Sequence, residues 1–231
     1  AQQLQRLSEY LETLPVTVLS PENIEADDAM AYISQQVYPK SQCIIMSTDR
    51  DFLQLVSDRV QVWSPTKKKF YFKETIKEEY NIYSKNFLMY RVLTGDSSDD
   101  IPGIRGAGSK TLMKRLPILF ENTKIELEDI FKHVEQANDG TKLSADILAS
   151  KDMLKLNHDL MQLDEVDIPG RTKQSILQIV QKPIQKLLKI KFLSMTLEDS
   201  LNLNIKNPQL WLKDTFGKLD IFSQKQTNES K

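Results

Sequence analysis

Residues 95 to 110 read Gly-Asp-Ser-Ser-Asp-Asp-Ile-Pro-Gly-Ile-Arg-Gly-Ala-Gly-Ser-Lys. Asp96, Asp99 and Asp100 lie within five positions, and glycines follow at Gly103, Gly106 and Gly108. Carboxylates at that density repel one another unless a cation sits among them. Glycines permit positive φ and let a backbone approach a ligand closely, because no Cβ intervenes. The string from Ser109 through Lys110 to Leu116 reads as a helix start, with free N–H groups and a positive dipole end facing whatever the glycines admit. A cation site beside a phosphate site suggests work on a nucleic-acid backbone. An acidic glycine-rich stretch is equally a surface turn when taken alone. It is not an EF-hand, since the twelve-residue spacing and its closing glutamate are missing.

Two further acidic clusters follow short apolar runs. Glu25, Asp27 and Asp28 begin a helical pattern, with Glu25 and Asp28 three apart and so on one face. Asp49 and Asp51 follow Cys43-Ile44-Ile45-Met46-Ser47 directly. In open α/β sheets, ligand sites lie outside the carboxyl ends of strands. Glu25, Asp27 and Asp28 also suit a helix N-terminus as plain charge complements to its dipole, and Asp49 and Asp51 suit an exposed turn. Oxygen ligands without Cys or His clusters select Mg²⁺, with Mn²⁺ as substitute, over Zn²⁺. Two such ions about 4 Å apart can serve phosphodiester hydrolysis. His133 and His158 are isolated, and no Ser-His-Asp spacing stands out. A phosphatase using Asp49 and Asp51 would leave the glycine stretch unexplained.

The elements that must carry these residues follow from periodicity. The spacing predicts an amphipathic helix over 2–14, a buried strand at Pro15–Leu19, and a helix over 23–37 ended near Pro39. Residues 43–47 read as a buried parallel strand and 52–56 as a short helix. Val60–Trp63 and Lys69–Phe72 read as a strand pair joined across Ser64-Pro65-Thr66. Helices are expected at 86–93, 109–120, 125–137, 143–155, about 157–163 and 173–191, with a frayed polar tail over 223–231. The fold class is therefore α/β with a parallel-type central sheet, followed by a helical region. Residues 1–94 form the α/β part and 95–231 the helical part.

Composition sets the outer bounds. The chain has 231 residues, 40% hydrophobic and 27% charged, with a net charge of −1, so a nucleic-acid surface must be a local patch. One cysteine, Cys43, excludes an internal disulfide and fits a reducing compartment. No apolar run of about twenty residues appears, so no membrane partner is expected. The opening Ala1 runs straight into a helical pattern and does not look like a natural start.

Taken in order, Glu25-Ala-Asp-Asp28, Ser47-Thr-Asp-Arg-Asp-Phe-Leu-Gln-Leu55, Gly95-Asp-Ser-Ser-Asp99 and Gly103-Ile-Arg-Gly-Ala-Gly-Ser-Lys110 resemble the structure-specific 5′ nucleases. These are the flap endonucleases and 5′–3′ exonucleases, with a PIN-like sheet, and the likeness is greatest to phage members including the RNase H of T-even phages. The resemblance covers residues 16–120 best, and Asn157–Asp164 resembles a downstream helix of the family. It implies that Glu25, Asp27, Asp28, Asp49, Asp51, Asp96 and Asp99 surround two Mg²⁺ ions, with Asp100 outside the set. It implies a helix–hairpin–helix in which Gly103, Arg105, Gly106, Gly108, Ser109, Lys110, Lys114 and Arg115 hold duplex phosphates, with K⁺ at the hairpin. Lysines 182, 186, 189 and 191 extend that surface or form a solvated helix face.

The implied activity is removal of flaps or RNA primers from branched, flapped or nicked DNA and RNA–DNA by a cytoplasmic, monomeric, phage or bacterial enzyme. A sliding clamp or single-strand binding protein is an implied partner. In the family, further metal-binding aspartates and a basic arch lie upstream of the position of Ala1. The chain is therefore expected to be the C-terminal portion of such a nuclease, weakened alone and with an exposed strand edge. The other reading is an inactive module that docks on DNA junctions.

Overall fold

The computed structural model describes residues 2–201 and 205–229. In chain order the elements are α1 (Gln2–Leu11), α2 (Ala26–Tyr32), β1 (Cys43–Met46), β2 (Val60–Ser64), β3 (Lys69–Tyr71), α3 (Lys73–Tyr80) and α4 (Phe87–Thr94). After them come α5 (Ser109–Arg115), α6 (Leu127–Ala137), α7 (Lys142–Ala149), α8 (Lys151–Met161), α9 (Gly170–Val180), α10 (Lys189–Glu198) and α11 (Pro208–Glu229). A π turn over Ile33–Val37 extends α2, and a 3₁₀ turn covers Asp51–Leu55. The chain divides into two compact units, one of residues 1–23 with 168–231 and one of 24–167.

In the larger unit β1 runs parallel to β2, with Cys43 opposite Val60, and β3 returns antiparallel to β2, with Trp63 opposite Phe70. Val60, Val62 and Ser64 face inward, as period-2 alternation requires. Contrary to expectation, β1 is not buried throughout: Ile44 is 61% and Met46 68% exposed. β1 is the edge of the three-stranded sheet, and no described element covers the face that these two side chains share. The change from strands to helices near residue 94 falls inside this unit. Leu88, Met89, Val92 and Leu93 of α4 share one core with Ile104, Leu112 and Leu154 beyond it, so apolar burial joins the two sides of that change.

In the smaller unit the N-terminal and C-terminal stretches pack together. Leu14, Phe192 and Leu212 form its core, with Tyr10, Val16 and Leu193 against them. Arg6 reaches Glu198 at 2.8 Å and Asp199 at 2.7 Å. The expected strand at Pro15–Leu19 does not form: the segment is irregular, and the described neighbours in this unit are helices, so it has no ladder to join.

The helix expected over 23–37 starts later, because Asn23 takes φ 59° and Glu25 caps at extended angles. The helix over 143–155 is broken at Ser150, and 173–191 is interrupted around Pro183. The tail is helical through Glu229, and residues 230–231 lie outside the described residues.

An ion cluster fixes the β2–β3 turn to α3. Lys67 Nζ donates to Glu79 at 2.9 Å and to the Tyr71 hydroxyl at 2.8 Å, while Lys69 holds the other Glu79 oxygen. Burial raises the Glu79 pKa, but the two lysines outweigh it and hold the carboxyl down at about 2. A depressed folded pKa contributes stability above the ordinary carboxylate range, and that contribution is lost as pH falls towards 2. Wild type should therefore melt above Glu79→Gln at pH 7, and the gap should close between about pH 5 and 2 in melting temperatures measured against pH.

Candidate carboxylate centre and glycine hairpin

The acidic segments sit where the fold places loops. Asp49 and Asp51 lie just past the carboxyl end of β1, and the loop is tied down locally. The Ser47 hydroxyl accepts from the Asp49 N–H at 3.0 Å, and Asp49 Oδ1 accepts from the Asp51 N–H at 2.8 Å. Phe52, Leu53 and Leu55 anchor the following turn in the core. Gln54 is buried with them. Its amide donates to the Met161 carbonyl at 2.8 Å and its oxygen accepts from the Leu163 N–H at 3.0 Å, clamping this loop to the end of α8.

Asp96 follows α4 and is 6% exposed. Its backbone closes a small hairpin: Asp96 N donates to the Ile101 carbonyl at 2.9 Å, and Ile101 N donates back at 2.8 Å. Asp99 and Asp100 are exposed within that hairpin, and Asp100 has φ 56°, a turn conformation. Two glycines form the neck. A Cβ on Gly103 would stand 2.1 Å from the Thr94 carbonyl oxygen, and one on Gly95, whose φ is +72°, would stand 2.4 Å from Gly103 N. The close approach that Gly103 permits is thus to its own chain. Buried Asn157 of α8 secures the neck, donating to Pro102 O at 2.7 Å and Val92 O at 3.2 Å.

The residues that follow are open to solvent. Gly106 takes φ +81°, while Gly108 is extended at φ −72° and caps α5. An added Cβ at either would meet nothing within 4 Å. Arg105, Lys110, Lys114 and Arg115 are exposed and Ser109 is half-buried, with Arg115 ion-paired to Asp139 at 3.5 Å.

The periodicity-based reading missed Arg91. It is 3% exposed on otherwise apolar α4, between the carboxylates of two sequence motifs. Its Nε donates to Asp51 Oδ1 at 2.6 Å, its Nη2 to Asp96 Oδ2, and its Nη1 to the Gly95 carbonyl at 3.4 Å. Asp96 Oδ1 accepts from the Ser98 N–H at 2.8 Å and from the Ser98 hydroxyl. Burial raises the Asp96 pKa, but Ser98 and Arg91 outweigh it and hold the carboxyl at about 2. At Asp51 burial wins over Arg91, helped by the charges of Asp49 and Asp96, and the pKa rises. Burial opposes the Arg91 charge, yet its two partners leave the pKa raised. A lone arginine in an apolar helix, five residues before an aspartate, was the available signal.

Glu25, Asp27 and Asp28 stand at the start of α2, with Glu25 exposed and the others half-buried. Burial, then the charge of Asp27, raises the Asp28 pKa. The structure brings Asp51 and Asp96 together on Arg91. Among the described residues, no three His, Cys, Asp or Glu side chains converge as a cation site.

A small mixed sheet with acidic residues past the end of β1, followed by helices, is an α/β architecture. Residues 1–81 match the 5′–3′ exonuclease N-terminal resolvase-like domain. The chain is 36% identical over 135 residues to a 5′–3′ exonuclease of Buchnera aphidicola, covering 58% of this chain and 45% of that one. It is 30% identical over 146 residues to the flap endonuclease Xni of Shewanella piezotolerans, covering 63% and 54%. It thus spans about half the length of these relatives. The fold is similar to that of the T5 D15 protein co-crystallized with metal ions, at TM-score 0.59, 23% identity and 71% and 62% coverage. The matched domain and these relatives are thus 5′–3′ exonucleases and a flap endonuclease.

That family likeness raises the question of a divalent ion. The carboxylates as arranged here do not form its cage: both Asp96 oxygens and Asp51 Oδ1 already accept from protein donors.

Because the Gly103 contact is with rigid backbone, Gly103→Ala should cost about 3 kcal/mol or more. Urea unfolding of Gly103→Ala and wild type checks this, and a loss under about 1 kcal/mol would contradict the neck geometry.

Proposed function

We propose that this chain belongs to a divalent-metal-dependent 5′ nuclease, a 5′–3′ exonuclease or flap endonuclease. Its substrates are branched, flapped or nicked duplex DNA and RNA–DNA, from which it removes flaps or RNA primers in replication and repair. The observation that carries this reading is the meeting of Asp51 and Asp96, from two separate acidic motifs, at the root of an exposed glycine hairpin. Mg²⁺, or Mn²⁺ in its place, is the proposed cofactor, with Glu25, Asp27, Asp28, Asp49, Asp51, Asp96 and Asp99 as its candidate ligands. Gly106, Gly108 and the exposed Arg105, Lys110, Lys114 and Arg115 are proposed to hold duplex phosphates, contacts that position without reading sequence. K⁺ at the hairpin and kinship with phage members belong to the same proposal. The proposed enzyme is monomeric and works in the cytoplasm of a bacterium or phage-infected host, where a clamp or single-strand binding protein is its proposed partner. No helix among the described residues is long and apolar enough to cross a membrane.

A second reading, a module that binds DNA junctions without cutting them, is favoured by the engagement of both Asp51 and Asp96 with Arg91. Cleavage of a 5′-labelled flap duplex in Mg²⁺ separates the two. On the nuclease reading Asp49→Asn lowers the cleavage rate by about 10²-fold or more and leaves duplex affinity nearly unchanged. Binding with no cleavage by either protein would favour the second reading.

Gly108 offers an independent check, since nothing in the fold opposes a Cβ there. Gly108→Ala should change stability by less than about 1 kcal/mol while weakening duplex binding in a fluorescence-anisotropy titration. Unchanged affinity would remove the hairpin from the interface.

A further inference from the structure

The proposed ligand set and the observed geometry disagree at one point, and the disagreement is informative. If Asp51 and Asp96 were waiting for a cation, their oxygens would face an open cleft or one another. Instead Arg91 lies between them, 3% exposed, with Nε on one carboxylate and Nη2 on the other. Its third nitrogen faces the Gly95 carbonyl at 3.4 Å, so each guanidinium nitrogen has a partner. The second Asp96 oxygen is held by Ser98. A guanidinium and a hard divalent ion want the same thing from a carboxylate, its in-plane lone pairs. They cannot both have the same ones.

We propose that Arg91 is a built-in counter-ion that competes with a divalent cation for Asp51 and Asp96, so that ion binding there requires the guanidinium to let go. The inference rests on reading this centre as a metal site, and it adds a residue and a regulation to that reading. Arg91 is a positioning residue here: it keeps two acidic loops together in the ion-free protein. Arginine suits this role better than lysine, because its planar fork can serve two carboxylates along fixed directions, whereas an ammonium is a point charge. Three consequences follow from the competition. The charge of the ion-free centre is partly compensated, and the centre folds without any metal. Ion affinity is reduced by whatever the two ion pairs contribute. Occupancy by the ion must change the environment of the Arg91 side chain.

The test uses the whole chain with Mn²⁺ or Mg²⁺ as the only probe. Mn²⁺ affinity, read by electron paramagnetic resonance, should be at least tenfold tighter for Arg91→Met than for wild type. Mn²⁺ should also raise the melting temperature of Arg91→Met more than that of wild type. In wild type, adding Mg²⁺ should shift or broaden the Arg91 Nε–H resonance. Equal Mn²⁺ affinities together with an unmoved Nε–H would overturn the proposal, as would absence of ion binding to either protein. If Arg91→Met folds only when Mn²⁺ is present, the proposal is supported. If it does not fold even then, the wild-type resonance decides, movement supporting the competition and constancy overturning it. Ion binding that displaces Arg91 without flap cleavage would defeat the nuclease reading and leave this inference standing.

Discussion

A guanidinium buried between two carboxylates is the interaction on which the candidate centre depends. Taking one charge out of water costs several kcal/mol even after relaxation, and an unpaired one would not be tolerated. Arg91 can sit inside α4 only because Asp51 and Asp96 come to it, and they can approach each other only because it lies between them. The three groups come from the turn after β1, the middle of α4 and the hairpin after α4. Removing one member of such a set strands the others, a loss of about 3–5 kcal/mol. Local order at the centre is therefore electrostatic in origin.

Apolar packing alone would not hold these loops. Their backbone is irregular and partly buried, so its polar groups need partners that no helix or strand supplies. Two buried amides provide them, and a third does the same after α5. Gln54 joins the carboxylate loop to the end of α8, and Asn157 joins α8 to the hairpin neck. Asn86 collects the carbonyls of Leu119, Glu121 and Thr123 and accepts from the Ile125 N–H at 3.1 Å, fixing the chain that follows α5. An amide carries donors and an acceptor with no net charge, so it can satisfy carbonyls and N–H groups without disturbing the nearby ion pairs. The acidic loops are thus set against α8 by hydrogen bonds, and charge is confined to Arg91 and its partners.

Much of this fold is visible in residue patterns. The compact run at Cys43–Met46, the alternation at Val60–Ser64 and the turn residues before Lys69 give a parallel pair and a hairpin, because strand periodicity and turn chemistry are local properties. The β-branched run at Val16–Leu19 has the same local signal and forms no strand, since pairing depends on a neighbour that periodicity cannot see. Exposure of Ile44 and Met46 is illegible for the same reason: an apolar side chain does not announce whether another element covers it. The acidic motifs stand out by composition. Their meeting depends on Arg91, whose burial follows from tertiary placement and not from any feature of residues 87–94 considered alone.

The glycines divide along the same line between what the fold consumes and what it leaves. Gly95 and Gly103 are required by the protein itself, since backbone occupies the place where each Cβ would stand. Gly106 is required by its own φ, which an L side chain adopts at a cost. Gly108 meets neither requirement: its angles are ordinary and the space beside it is empty. Treating the stretch as one flexible loop would hide that difference. The neck positions report on whether the hairpin forms, and the outer position reports on what approaches it. Arg91 and Gly108 are complementary in this respect. One is a charge wholly absorbed by internal partners at the base of the hairpin, and the other is an absent side chain that the interior does not call for. On the proposed reading of this hairpin, ligand binding displaces the first and makes use of the second.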